Sequence, residues 1–439
     1  MTPTLNTRIP NLGPCNYPSP LRLNTTTGDT IGNFVSDEAR VRHQVVLGPG
    51  EAPNSTVFFE KAGPRQKIFF NPPKTRAAIV TCGGLCPGLN NVIRSAFLEL
   101  HHNYGIQEVL GIRHGYQGLT LSAPPPLTLT TEMVEDIHRE GGTILSSSRG
   151  RQEPAEMVEY LVRRNIDILL CVGGDGTQKG THALAEEIAR RKLPIAVVGV
   201  PKTIDNDIQF VRQTFGFYTA IESARVILDG AHCESKGAPN GIGLVKLMGR
   251  DSGFIAAGAA VASQEVNFVL VPEIPLRLHG PKGFLGALHK RMATRHHAVI
   301  VVAEGAGQDL LEPESGRDLS GNRKKADIGQ YLREQIPAYF QEAGLKVNLK
   351  YIDPSYIIRS APADSYDSIY CARLGAHAVH AAMSGKTQAL IGLLHNRFVH
   401  LPIKVAVSTR NHVDLEGSLW RDVLENTRQP LSMKNFKFD

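Results

Sequence analysis

At 439 residues, with 42% hydrophobic and 21% charged side chains, the chain is long enough to bury a core in each of two or three lobes. Its net charge of +6, from 48 basic against 42 acidic residues, contains no long block of like charge; this argues against nucleic-acid or membrane binding and suits a small anionic substrate. The start MTPTLNTRIPNLGPCNYPSP lacks a signal peptide's apolar core, no run of about eighteen apolar residues occurs, and six scattered cysteines fit reduced thiols, so a cytoplasmic protein is expected.

Residues 1–75, rich in Pro, Asn, Thr and Gly, are expected to form an arm laid over a core. From Ala77 the texture changes. The apolar run 77–80 predicts a strand, Gly83-Gly84-Leu85-Cys86-Pro87-Gly88 a turn, and 89–102 a helix. The same order recurs at 166–172 into a helix over 178–190, and 195–200 leads through a turn to a helix starting near Thr214. A strand over 242–247 enters a small-residue helix over 254–262, and 298–303 is another buried strand before Glu304-Gly305-Ala306-Gly307. Alternation of this kind predicts an α/β protein with parallel-rich sheets covered by helices, two sheets being favoured at this length. Ligands in such sheets sit at the carboxyl ends of the strands, so the turns are where chemistry is expected.

The first turn places two adjacent glycines where strand meets helix; an anion cradle and a plain tight connection are both open there. The second, Gly173-Gly174-Asp175-Gly176-Thr177, directly follows a strand. Its glycines let phosphates approach the backbone, Thr177 offers a hydroxyl at a helix start, and Asp175 offers Mg²⁺ a carboxylate, which marks a phosphoryl-donor site. In the third, Pro201-Lys202-Thr203-Ile204-Asp205-Asn206-Asp207, two carboxylates two residues apart in an extended segment would face one site, one as base and the other at a metal. Lys202 and Thr203 add charge and a hydroxyl donor, as phosphoryl transfer to an alcohol requires. The fourth, Met248-Gly249-Arg250-Asp251-Ser252-Gly253, puts an arginine at another strand-to-helix junction.

Two absences narrow the choice. A Walker pattern fails at Gly385-Lys386-Thr387, where His380 stands in the first glycine's place, and a dinucleotide fingerprint fails because Gly241-Ile242-Gly243 runs into Lys246.

These four turns, in this order and from about Arg76 to the region near Val407, resemble the 6-phosphofructokinase family, in the branch found in plants, trypanosomatids and some bacteria. The resemblance implies phosphorylation of the 1-hydroxyl of fructose 6-phosphate by Mg-ATP. It implies two similar lobes, residues 76–217 binding nucleotide and 218–358 the sugar phosphate, a returning segment 359–439, and an embracing arm over 1–75 in a homo-oligomer, tetramer or dimer. Position by position, Asp205 would be the general base, with Lys202, Thr203 and Arg250 serving the transferring group. Asp175 and Asp207 would lie at Mg²⁺. Gly83, Arg149, Gly174, Asp175, Gly176 and Thr177 would line the nucleotide phosphates, and Met248, Gly249, Glu304, Lys350, Tyr356 and Arg359 would take the sugar phosphate. Lys350 stands where many relatives have arginine, and keeps the charge without the bidentate fork. Gly241 replaces an interface arginine of many bacterial enzymes, with Lys202 compensating. Gly176 points to ATP, because pyrophosphate-dependent relatives carry there an aspartate that would repel the nucleotide α-phosphate. The end, Phe436-Lys437-Phe438-Asp439, is not a peroxisomal address.

Overall fold

A computed structural model describes residues 5–46, 48, 57–280, 282–312, 316 and 325–431; the Phe436–Asp439 terminus lies outside them. The chain forms two compact units. The first gathers the residues up to Thr203 with Ile208–Gly216 and Ala361–Arg410, the second Ile204–Asp207, Phe217–Ser360 and the chain from Asn411. The segment returning after residue 359 is thus divided, its later part belonging to the second unit. No helix among the described residues is long and apolar enough to cross a membrane.

A nine-stranded mixed sheet centres the first unit. Strands Glu108–Ile112, Arg76–Thr81, Ile168–Gly173, Ala196–Pro201 and Ala389–Leu394 run parallel, in that order. Ile168-Leu169-Leu170-Cys171-Val172 is buried throughout, the continuous apolar pattern of a strand covered on both faces. Helices Asp175–Arg190 and Ser365–Met383 contribute to that cover, and Leu89–Leu98 packs against the latter.

The arm is partly built into this sheet and not only laid over it. Arg40–Arg42 and Phe58–Lys61 extend its edge antiparallel, the latter pairing with Arg397–Pro402. Period-two alternation explains the insertion: Phe59 is fully buried among Val399, Leu401 and Ile403, while Phe58 faces outward. Next to Phe59, Glu60 Oε1 meets Arg65 at 3.1 Å, Lys386 at 3.1 Å and His400 Nδ1 at 3.0 Å. Burial opposes the Glu60 charge, but hydrogen bonds from His400 and Lys386 more than offset it and lower the carboxyl from 4.5 to about 2. Burial also depresses the His400 imidazole, against the opposing pull of its hydrogen bond and charge attraction to Glu60, and Arg65 and Lys386 add positive charge beside the same carboxylate.

A carboxyl depressed in the folded state stabilises it above the unfolded value, and that contribution is lost as pH falls through the folded value. Glu60→Gln is therefore expected to lower stability at neutral pH by about 3 kcal/mol, because buried Arg65 keeps only the exposed Asp37 as countercharge and Lys386 loses its pair with Glu60. The difference from wild type should shrink as pH falls from 4.5 to about 2, read by urea unfolding at stepped pH. A difference independent of pH would remove Glu60's charge as the cause.

The second unit holds a four-stranded, all-parallel sheet, ordered Phe268–Leu270, His297–Ala303, Gly241–Leu247, Asn348–Ile352. Alternation divides the central strand: Val245 and Leu247 pack with helices Phe217–Gly237 and Phe254–Ser263, while Ile242 and Leu244 pack with Phe284–Arg295 and Ile328–Glu342. The short outer strand Phe268–Leu270 is closed by a side chain: Val269 N–H donates to Gln429 Oε1 at 2.7 Å, and Gln429 Nε2 donates back to the Val269 carbonyl at 3.3 Å. With nine strands against four, the lobes differ in size, the edge strands of the first accounting for much of the difference.

Candidate active site

In the first unit the carboxyl ends of three neighbouring parallel strands bring three turns together. Gly83, at φ 90° in the left-handed region, lets the chain leave strand Arg76–Thr81 with its N–H donating to the Ser148 carbonyl at 3.0 Å and its carbonyl accepting from Ser147 Oγ at 2.6 Å. Lys202 reaches over from the end of the Ala196–Pro201 strand, its Nζ donating to the Gly84 carbonyl at 2.7 Å. A Cβ built at Gly83 would lie 3.3 Å from Lys202 Nζ, and one at Gly84 3.2 Å from Arg149 Nη2. Two cations therefore converge on the glycine turn, from residues far apart in sequence.

The second turn is the start of a helix. Helix Asp175–Arg190 begins immediately after Gly174, so Asp175, Gly176 and Thr177 occupy its first turn, where N–H groups lack helical partners and an anion is favoured. Gly176 is exposed, and a Cβ there would meet nothing within 4 Å. Asp175 is paired with Lys179 at 2.8 Å and Arg410 at 3.6 Å. Such partly exposed pairs contribute only about 0.5 kcal/mol, so the carboxylate can yield to a cation. Its hard oxygen chemistry fits Mg²⁺.

Pro201–Asp207 is shared: Lys202 and Thr203 lie with the first unit, Asp205 and Asp207 with the second. The segment is not extended. A turn at Ile204–Asp205 precedes Asn206, at φ 57°, so strand alternation does not align the two carboxylates. Asp205 instead sits on the fourth turn, Oδ2 accepting from Arg250 N at 3.4 Å and its carbonyl from Ser252 Oγ at 3.0 Å. Asp207 is buried, and its carbonyl accepts from Asn411 N at 2.9 Å.

The Met248–Arg250 turn stacks on the Glu304–Gly305 turn. Leu247 is in register with Ala303, Glu304 N donates to the Leu247 carbonyl at 2.9 Å, and Gly305 N to the Gly249 carbonyl at 3.0 Å. Gly249 is at φ 131°, and a Cβ there would come within 2.5 Å of the Ser252 carbonyl. On the neighbouring helix Ser355–Ser360, the Arg359 guanidinium lies 5.5 Å from the Tyr356 ring centre, with Tyr356 82% exposed. Lys350 is not brought to these turns. It is opposite Gly243, four residues below the strand end at Leu247, or roughly 13 Å, and is ion-paired to Glu234.

Residues outside the four motifs complete the site. Gln178, fully buried, donates through Nε2 to the carbonyls of Gly173 at 2.9 Å, Val200 at 3.1 Å and Cys171 at 3.3 Å, tying two strand ends beneath the phosphate turn. Its signal in the sequence is a polar residue in the stripe Gln178, Thr181, Ala185, Ile188 that the helix buries. Arg410, on Asp175, and Lys325, on the Arg250 turn, have no comparable local signal.

The family model described as phosphofructokinase matches residues 76–382. The chain is 50% identical over 441 residues to the ATP-dependent 6-phosphofructokinase of Borreliella burgdorferi, covering 98% of each chain. To that of Trypanosoma cruzi it is 48% identical over 377 residues, covering 85% of this chain and 77% of the other. Among solved structures, a pyrophosphate-dependent phosphofructokinase from Marinobacter aquaeolei is similar with a TM-score of 0.67 at 20% identity, covering 83% of this chain and 94% of that one, a likeness of fold alone.

Proposed function

Since the chain belongs to the phosphofructokinase family, we infer that it is an ATP-dependent 6-phosphofructokinase, transferring the γ-phosphoryl group of ATP to the 1-hydroxyl of fructose 6-phosphate. The observation that carries the choice of donor is Gly176, a residue without a side chain facing open space in the first turn of a helix next to Asp175.

In this reading the first unit binds nucleotide. The free N–H groups at the start of helix Asp175–Arg190, with Gly83, Gly174, Gly176 and Thr177, would receive the phosphates, and Lys202 and Arg149 would supply fixed positive charge beside them. Asp175, joined by Asp207, would hold Mg²⁺, which when bound neutralises phosphate charge. The second unit takes the sugar phosphate on Met248, Gly249, Glu304, Tyr356 and Arg359. Asp205 accepts the proton of the 1-hydroxyl as its oxygen attacks phosphorus; Arg250 and the Thr203 hydroxyl steady the transferring group. Such transfer demands little covalent chemistry, so rate comes from placement and charge. A homo-oligomer in the cytoplasm accords with this reading.

Initial rates of fructose 1,6-bisphosphate formation with ATP and with pyrophosphate, each with Mg²⁺, test it. Turnover with ATP alone is expected, abolished by EDTA and restored by excess Mg²⁺. Turnover with pyrophosphate alone would overturn the donor, and turnover in EDTA would remove the metal. Inactivity with both donors, with and without AMP, would make the chain a regulatory relative.

A further inference from the structure

The sugar-phosphate site proposed above is drawn from three separate places in the second unit: the Arg250 turn, the Glu304 turn and helix Ser355–Ser360. One short segment, Lys325–Asp327, is tied to all three, directly or through one bridging side chain. Lys325 Nζ donates to the Arg250 carbonyl and pairs with Asp251 at 3.0 Å. Gln308 Nε2 donates to both the Glu304 and Ala326 carbonyls at 3.0 Å. Asp327 reaches the third through Lys246, whose Nζ lies 2.8 Å from Asp327 Oδ2 and 2.9 Å from Asp353 Oδ2.

Each carboxylate divides its oxygens. Asp327 Oδ1 caps helix Ile328–Glu342, accepting from Gly329 N at 2.9 Å and Gln330 N at 3.1 Å. Asp353 Oδ1 accepts from Ser355 N at 3.1 Å and Ser355 Oγ at 2.5 Å, fixing the first residue of the helix that carries Tyr356 and Arg359. One ammonium group thus fastens the approaches to two helices, using the several donors only lysine offers from a single point. Burial works against its charge, but hydrogen bonds to Asp327 and Asp353 more than offset that and raise its pKa above the ordinary lysine value. Lys246 also lies two residues before Met248, on the strand that delivers the Arg250 turn.

We propose that Lys246 is a positioning residue for the sugar phosphate, holding helix Ser355–Ser360 in register with the strand that presents Met248 and Arg250. The inference rests on the functional reading above. It predicts an effect confined to one substrate, since Lys246 and both its carboxylates belong to the second unit, while the proposed nucleotide residues Gly83, Arg149 and Gly174–Thr177 belong to the first.

Lys246→Met and Asp353→Asn, singly and together, test it. An asparagine carbonyl oxygen can accept from Ser355 N and Oγ as Asp353 Oδ1 does, so the second variant keeps Ser355's partner and loses only the ion pair. Each single change is expected to raise KM for fructose 6-phosphate about tenfold, as small misplacements of binding groups do. KM for ATP should stay within about twofold, and the double variant should be no worse than the worse single, because both break one link. An unchanged fructose 6-phosphate KM in Asp353→Asn, or a rise in both KM values together with a loss of Tm, would overturn the positioning role. Wild-type protein inactive on fructose 6-phosphate would instead remove the functional reading beneath it.

Discussion

Replacing Asp205 by asparagine is expected to lower kcat about a thousandfold, the scale of a lost general base. The substitution conserves size, and an amide oxygen can still accept from Arg250 N, as Asp205 Oδ2 does. Ser252 Oγ bonds the backbone carbonyl of residue 205, which the change leaves alone. The turn therefore keeps its shape, and what is lost is a group that can take a proton. Calorimetric binding of fructose 6-phosphate and KM for both substrates should change little while kcat collapses, the pattern of an interaction made only in the transition state. Near-normal turnover would strike Asp205 from the mechanism and require another base.

The second large effect is expected from Gly176→Asp. A side chain there enters open space, its backbone is not in the left-handed region, and acidic residues suit the first turn of a helix, so folding and Tm should hold. The new carboxylate would face the place where nucleotide phosphates are proposed to lie, and opposing like charges at an interface costs several kcal/mol. KM for ATP should rise about a hundredfold, with KM for fructose 6-phosphate preserved. Unaltered ATP kinetics would mean that the side chain points away from the nucleotide, and the argument from glycine would fail.

Much of the fold was legible because its core strands are unbroken apolar runs, and the strand limits expected at 77–80, 242–247 and 298–303 differ from the observed ones by at most one residue at an end. Where glycine bears on helix starts, legibility dropped. Gly174-Asp175-Gly176 reads as a loop, yet the helix begins at Asp175 and not at Gln178, since the strand hands over directly through Gly174 and Gly176 already sits in the first turn. The alternation argument for Asp205 and Asp207 failed on the turn at Ile204–Asp205 and the left-handed Asn206, conformations that Asn and Asp favour but that the carboxylate spacing alone does not reveal. The arm's entry into the sheet was hidden for a different reason: Val57-Phe58-Phe59 is a short run whose partner strand, Arg397–Pro402, lies more than three hundred residues away. Lys246, Lys325 and Gln178 escaped notice because their roles depend on carboxylates or carbonyls that only the folded chain brings near.

Gln429 leaves a final consequence. A parallel sheet ordinarily offers two bare edges, and either can recruit a strand from another molecule. By occupying the N–H and carbonyl of Val269, the middle residue of the outer strand Phe268–Leu270, its carboxamide blocks the centre of that strand to backbone pairing. A strand arriving from another molecule would have to displace that carboxamide first, so this side of the sheet resists edge-to-edge growth.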